Sequence, residues 1–231
     1  MPKLKTRIGA LRRLPALERF RRREDGAVAV EFVLIAPLMI AIYLGIFQIS
    51  MVISQDRNVS HAASVMGDLA TQVPQLDNQS IEDVFQAGAN VLGVGETSEW
   101  SDISMELVSL RMVETGGTNP DGTPETSVEV VGKATIGSGF SDAASMSFDS
   151  RILNTTSGAV VARIRYDYSL ISNSGSASDN DWINGQYMLT EDFVLKPRVS
   201  EEVMFSDATD VTCTITNGTV DCPAPSGGAP N

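Results

Sequence analysis

Twenty-two consecutive residues without a charge, Phe32 to Ile53, decide most of what this chain can become. Only Gln48 and Ser50 are clearly polar within the run. As a helix rising about 1.5 Å per residue it measures about 33 Å, enough to cross a hydrocarbon core of about 30 Å. The apolar stretch of a secretory signal is shorter, about 7–15 residues, and a small-residue cleavage site follows it. No clear A-x-A-like site follows here. The run is also too long and continuous for a buried helix of a globular protein, so a membrane-crossing helix is expected.

Charge sets the direction of crossing. Residues 1–25 carry nine Lys/Arg against Glu18, Glu24 and Asp25, a net +6. The remaining residues hold 8 cations and 26 carboxylates, a net −18, which together give the chain its −12. Basic flanks stay in the cytoplasm. The expected organisation is therefore a basic cytoplasmic leader (1–26) and a transmembrane helix (27–55), then an extracytoplasmic domain (56–222) and a flexible tail (223–231). Arg21, Arg22 and Arg23 serve as the topology lock in this reading, or as recognition for a processing enzyme. The acidic body excludes nucleic acid as a partner, because phosphate contacts need Lys and Arg. The two cysteines, Cys213 and Cys222, fall on the side expected to be oxidising.

The helical pattern outlasts the membrane run. Val59, Ala62, Ala63, Met66, Leu69, Ala70 and Val73 form a stripe at helical spacing. Pro74 then stops it. One continuous helix is expected from Ala27 to Val73, apolar all round at first and amphipathic later. A second is expected from Ile81 to Leu92, with Ser80 as N-cap, Asp83 completing a capping-box variant, and Gly93 at the C-terminal stop. After Trp100 the stretches ISMELVSLRMVE, TSVEVVGKATIG, AVVARIRYDYSLI and FVLKPRVSEEVMF read as strands. Turn-rich stretches, TGGTNPDGTPE, SDAASMSFDS and SNSGSASDNDWING, separate them. The fold class is α+β: a long N-terminal transmembrane and amphipathic helix, then a mostly antiparallel sheet with a helix on one face. The helical part of the domain spans 56–93 and the β-rich part 100–222.

CTITNGTVDC, residues 213–222, is the sharpest local prediction. Asn217-Gly218 favours a two-residue type I′ turn. Thr216 then opposes Thr219, Ile215 opposes Val220, Thr214 opposes Asp221, and Cys213 opposes Cys222. The cysteines fall on a non-hydrogen-bonded pair, with Cα atoms about 4.5 Å apart, within disulfide reach. A structural bridge is expected, the alternative being two free thiols.

Glu31 stands just inside the apolar run and admits two readings. A carboxylate near the interface can snorkel to the head groups; at the helix centre it would cost about 2.5–3.5 kcal/mol. Alternatively, if the chain is cut after Gly26, Ala27 gains a cationic amine one helical turn from Glu31. In a bundle of such helices, the carboxylate of one can meet the amine of its neighbour, which relieves both burial costs and fixes register. Pro37 removes a helix hydrogen bond; it kinks the segment or is simply tolerated there.

GAVAVEFVLIAP, residues 26–37, resembles the N-terminal segment of the TadE/TadG-type pseudopilins of the tight-adherence (Flp-type) pilus system. Gly26, Glu31, Phe32 and Pro37 match the family pattern of a basic leader, a Gly-x-x-x-x-Glu-Phe site and an apolar helix with an early proline. DRNVSHAASVMGDLATQV resembles the continuation of that helix, and LKPR and the late cysteine pair are similar to features of family members. There is no room for the von Willebrand-type domain of larger TadG members, so the shorter TadE-like kind fits. The resemblance implies a minor pseudopilin acting in pilus assembly and surface adherence. It implies cleavage between Gly26 and Ala27 by a prepilin peptidase, an aspartic protease of the membrane. Other pilin or pseudopilin subunits and inner-membrane assembly proteins would be its partners. The location would be the bacterial inner membrane, single-pass, with the C-terminal domain periplasmic or carried outward in the pilus. The alternative is an uncleaved, anchored periplasmic module that recruits a partner.

Catalytic residues are not evident. His61 is the single histidine, and no Ser-His-Asp set can be drawn. DNDWING, with Asp179, Asp181 and Gly185, is faintly like a calcium loop, but Ile183 occupies a ligand position. Neither a metal nor another cofactor is expected, and an enzyme is not.

Overall fold

The computed structural model describes residues 25–94, 98–169, 186–206, 209–216 and 218–223. The leader with Arg21, Arg22 and Arg23, the DNDWING loop, Asn217 and the tail from Ala224 lie outside the described residues. Two compact units divide the chain, one ending at Ser50 and the other beginning at Met51.

Helix α1 runs from Asp25 to Thr71, close to the expected span. It is the one helix among the described residues long and apolar enough to cross a membrane. Its side chains within the first unit make no apolar core: Phe32 is 71% exposed, Leu34 77% and Tyr43 70%. Such a surface is suited to lipid rather than to water. Pro37 lies inside the helix without ending it.

In the second unit, α1 changes character. Val59, Ala62, Ala63, Met66 and Ala70 are buried, whereas Leu69 is turned outward and 37% exposed, off the face that its spacing suggested. The buried residues are mostly small, so the helix lies close to its neighbours. A Cβ on Gly67 would run into Leu195, and one on Gly88 would come within 2.6 Å of the Met66 sulfur.

Helix α2 spans Asn78–Leu92 and buries Ile81, Val84, Phe85, Gly88, Ala89 and Leu92. Its N-cap is Asp77, not Ser80: the Asp77 carboxylate accepts from the Ser80 backbone N–H at 2.8 Å. A carboxylate beside the positive end of a helix outranks a hydroxyl one turn in. The Ser80 side chain, and after it the Ser80 backbone N–H, holds the Asp77 pKa below its ordinary value. Gly93 ends α2 in the left-handed conformation, with φ 81°.

Strands β1 (Gln75–Leu76), β2 (Ile103–Thr118), β3 (Pro124–Ile136), β4 (Ala159–Ser169), β5 (Gln186–Leu195), β6 (Met204–Phe205), β7 (Asp210–Thr216) and β8 (Thr219–Asp221) complete the fold. Six of them form one sheet in the order β5-β4-β2-β3-β7-β8. All its pairs are antiparallel except β3 with β7. β1 and β6 form a separate parallel pair. FVLKPRVSEEVMF is not one strand. β5 ends at Leu195, Pro197 cannot donate to a ladder, and only Met204 and Phe205 pair again. Similarly, β2 continues through the glycines of TGGT, leaving residues 119–123 as the loop.

Both faces of the sheet are covered. On one, Met105, Leu107, Ala134, Ile136, Val160, Ala162 and Ile164 join the buried faces of α1 and α2 in a single cluster. On the other, Val108, Leu110, Ala159 and Val161 pack with Ala143 and Leu153 from the 137–158 connection.

Candidate functional site

Gly26 and Ala27 fall in the first turn of α1, and Ala27 is four residues, about one turn, before Glu31. Glu31 and Phe32 are exposed, and among the described residues no cation reaches Glu31. The carboxylate thus stands at the start of an apolar cylinder with no partner from the described part of its own chain.

Residues 26–65 match the TadE-like protein family. The match opens at Gly26 and takes in the whole apolar run and the first buried turns beyond it. This is the family whose N-terminal pattern the sequence resembles. No curated protein and no solved structure matches the chain. The match stops short of α2 and the sheet.

At the far end of the chain, Cys213 and Cys222 are joined, with Cα atoms 4.2 Å apart. The register is the expected one: Thr216 with Thr219, Ile215 with Val220, Thr214 with Asp221. Both half-cystines are buried with Val220 in the helix-side cluster. The hairpin is also bolted to α2. The Cys222 N–H donates to Glu82 Oε1 at 2.9 Å, and Asn78 Nδ2 donates to the Cys222 and Pro223 carbonyls at 3.3 and 3.1 Å. Closing a loop this short contributes about 2–3 kcal/mol on the chain-entropy model. A Cys213→Ala, Cys222→Ala double variant should lose that amount in chemical denaturation. Reducing agent should lower the parent to the same midpoint and leave the variant unmoved.

A polar row that no motif announced crosses the second face of the sheet. Asp192, Arg163, Glu106 and Thr135 are direct neighbours on β5, β4, β2 and β3. Arg163 donates from Nη1 to Glu106 Oε2 at 3.0 Å and from Nε to Asp192 Oδ1 at 3.0 Å. It also holds the Ser141 carbonyl (2.6 Å) and hydroxyl (3.0 Å), and its guanidinium lies 5.2 Å from the Phe140 ring centroid. Arg163 and Glu106 are both about 5% exposed. Burial raises the Glu106 pKa above its ordinary value, with the Arg163 charge opposing the shift only in part. The signal was present in the sequence as single charges inside otherwise apolar stretches, VVARI and ISMELV. What sequence could not supply was the pairing of residues 57 and 29 positions apart.

His61 is exposed on α1, Tyr187 is exposed on β5, and Trp100 is buried in the core. Among the described residues no three His, Cys, Asp or Glu side chains are grouped to hold a metal ion.

Proposed function

We propose that this chain is a minor pseudopilin of the tight-adherence pilus machinery. A prepilin peptidase removes residues 1–26, and the new Ala27 amine of one subunit pairs with Glu31 of the next. The leader with Arg21, Arg22 and Arg23 stays cytoplasmic, α1 holds the inner membrane, and the disulfide-bonded domain faces the periplasm. Prepilin peptidase, other pilin or pseudopilin subunits and inner-membrane assembly proteins are its partners, and surface adherence is the outcome.

The observation that carries this reading is the TadE-like match opening at Gly26, over an apolar helix that carries Glu31 near its start. Charge supports the topology, since the +6 leader and −18 remainder lie on opposite sides of the span. Mass spectrometry of the membrane form, from cells with an active peptidase, should find Ala27 at the N-terminus. A Gly26→Leu variant should keep its leader. A parent chain that retains residues 1–26 in those cells would leave an anchored periplasmic module instead.

A further inference from the structure

The β2–β3 ribbon outruns the sheet in which it is rooted. β2 pairs with β4 only over Ile103–Leu110, and β3 pairs with β7 only over Lys133–Ile136. From Arg111 to Thr118 and from Pro124 to Val130, the two strands pair only with each other among the described residues. Each carries an outer row of backbone N–H and C=O groups with no strand beside it. Proteins usually blunt such an edge with lysine, proline or a covering element. Here Pro124 stands only at the start of β3. Between Arg111 and Val130 the sole cation is Arg111 itself, 2.9 Å from Glu129.

The exposed edge of β3 is two-faced. Glu125 and Glu129 lie on one face and Val128 and Val130 on the other, because alternate residues of a strand share a face. Val130 is 37% exposed. Among the described residues no cation lies within ion-pair distance of Glu125, nor of Glu114 and Asp121 elsewhere on the ribbon.

We propose that the outer edge of β3, residues 124–131, docks an extended basic segment of another protein by strand addition. The fitting segment has Lys or Arg at alternate positions, over Glu125 and Glu129, and apolar residues between them, over Val128 and Val130. Charge rejects the acidic body of a second copy as the occupant. Beyond residue 25 each copy holds 26 carboxylates against 8 cations, and like charges opposed across strands repel. This goes beyond the pilus reading and does not depend on removal of the leader.

The test uses the full chain in non-ionic detergent and a ten-residue alternating Lys–Val peptide as probe. Controls are a Glu–Val peptide of the same alternation and the Lys–Val peptide with a central proline. The Lys–Val peptide should bind saturably, slow amide exchange at residues 124–131, and weaken with added salt. Glu125→Lys, which leaves the Arg111–Glu129 pair intact, should weaken it about threefold while leaving the denaturation midpoint unchanged. Equal binding of either control peptide, protection confined to other residues, or no binding would overturn the proposal. So would sedimentation showing that a second copy occupies the ribbon. A retained leader would leave these outcomes as they stand, so failure of the pilus reading and failure of this one are separately visible.

Discussion

A Glu31→Ala chain should enter the membrane at least as readily as its parent and still fail to assemble. Removing the carboxylate lowers the cost of insertion, because an acid in the apolar run is unfavourable wherever it lacks a partner. In the bundle proposed above, the same deletion leaves the Ala27 amine of the neighbouring subunit buried without a counter-charge. Losing one partner of a buried ion pair costs about 3–5 kcal/mol, about two to three orders of magnitude in an assembly equilibrium. Surface pili counted by microscopy should fall by that order, while membrane fractionation shows an unchanged amount of inserted protein. Glu31→Asp keeps the charge on a shorter arm and should restore part of the assembly. Glu31→Gln keeps the shape without the charge and should not. Normal pilus numbers in the alanine variant would remove the register argument and leave Glu31 as a group that reaches the lipid head groups. Because insertion and assembly are read separately, a chain that merely fails to reach the membrane cannot be mistaken for one that cannot assemble.

Local chemistry made the N-terminal half readable. A long uncharged run followed by small apolar residues at three- and four-residue spacing has one economical solution, and α1 adopts it within two residues of the expected bounds. The C-terminal hairpin was equally legible, because Asn217-Gly218 fixes a register and the register brings two cysteines together. Helix α2 was placed but its start was misread, since Asp77 lay outside the apolar pattern used to find it. The sheet's strand order was harder. β7 returns parallel to β3 instead of beside β5, which no turn between neighbouring segments announces. Lys196-Pro197-Arg198 looked like the middle of a strand and instead ends one. There the Arg198 backbone N–H donates to the Thr71 carbonyl at the end of α1, and its guanidinium reaches Asp68. Non-local contacts of this kind depend on topology, and composition is nearly silent about topology.

The Arg163 row tests that silence most directly. Arg163→Met should destabilise the second unit by about 3–5 kcal/mol at neutral pH, because Glu106 then stays buried without a counter-charge. Asp192, whose side chain is 33% exposed, can turn to water and should contribute less. The pH dependence has a definite sign. Desolvation already holds the Glu106 pKa above its ordinary value, so the folded chain binds that proton more tightly than the unfolded chain. The associated stability is present below the ordinary carboxylate range and declines as pH rises through the raised value. Removing Arg163 raises that value further, so the variant should regain stability on mild acidification more steeply than the parent. Adding Glu106→Leu to Arg163→Met should abolish the extra slope and recover most of the loss, because a well-packed apolar pair can replace a buried ion pair at little net cost. Denaturant titrations of the full chain at several pH values, followed by emission of the buried Trp100, measure all three. The row also explains why a charge is kept in so apolar a place. Arg163 lies directly between Glu106 on β2 and Asp192 on β5, so a one-residue slip of β4 would turn it to the helix side and strand both carboxylates. If the double variant keeps wild-type backbone exchange protection across β2, β4 and β5, register is set by apolar packing alone; if protection falls while stability returns, the row specifies the alignment of the three strands.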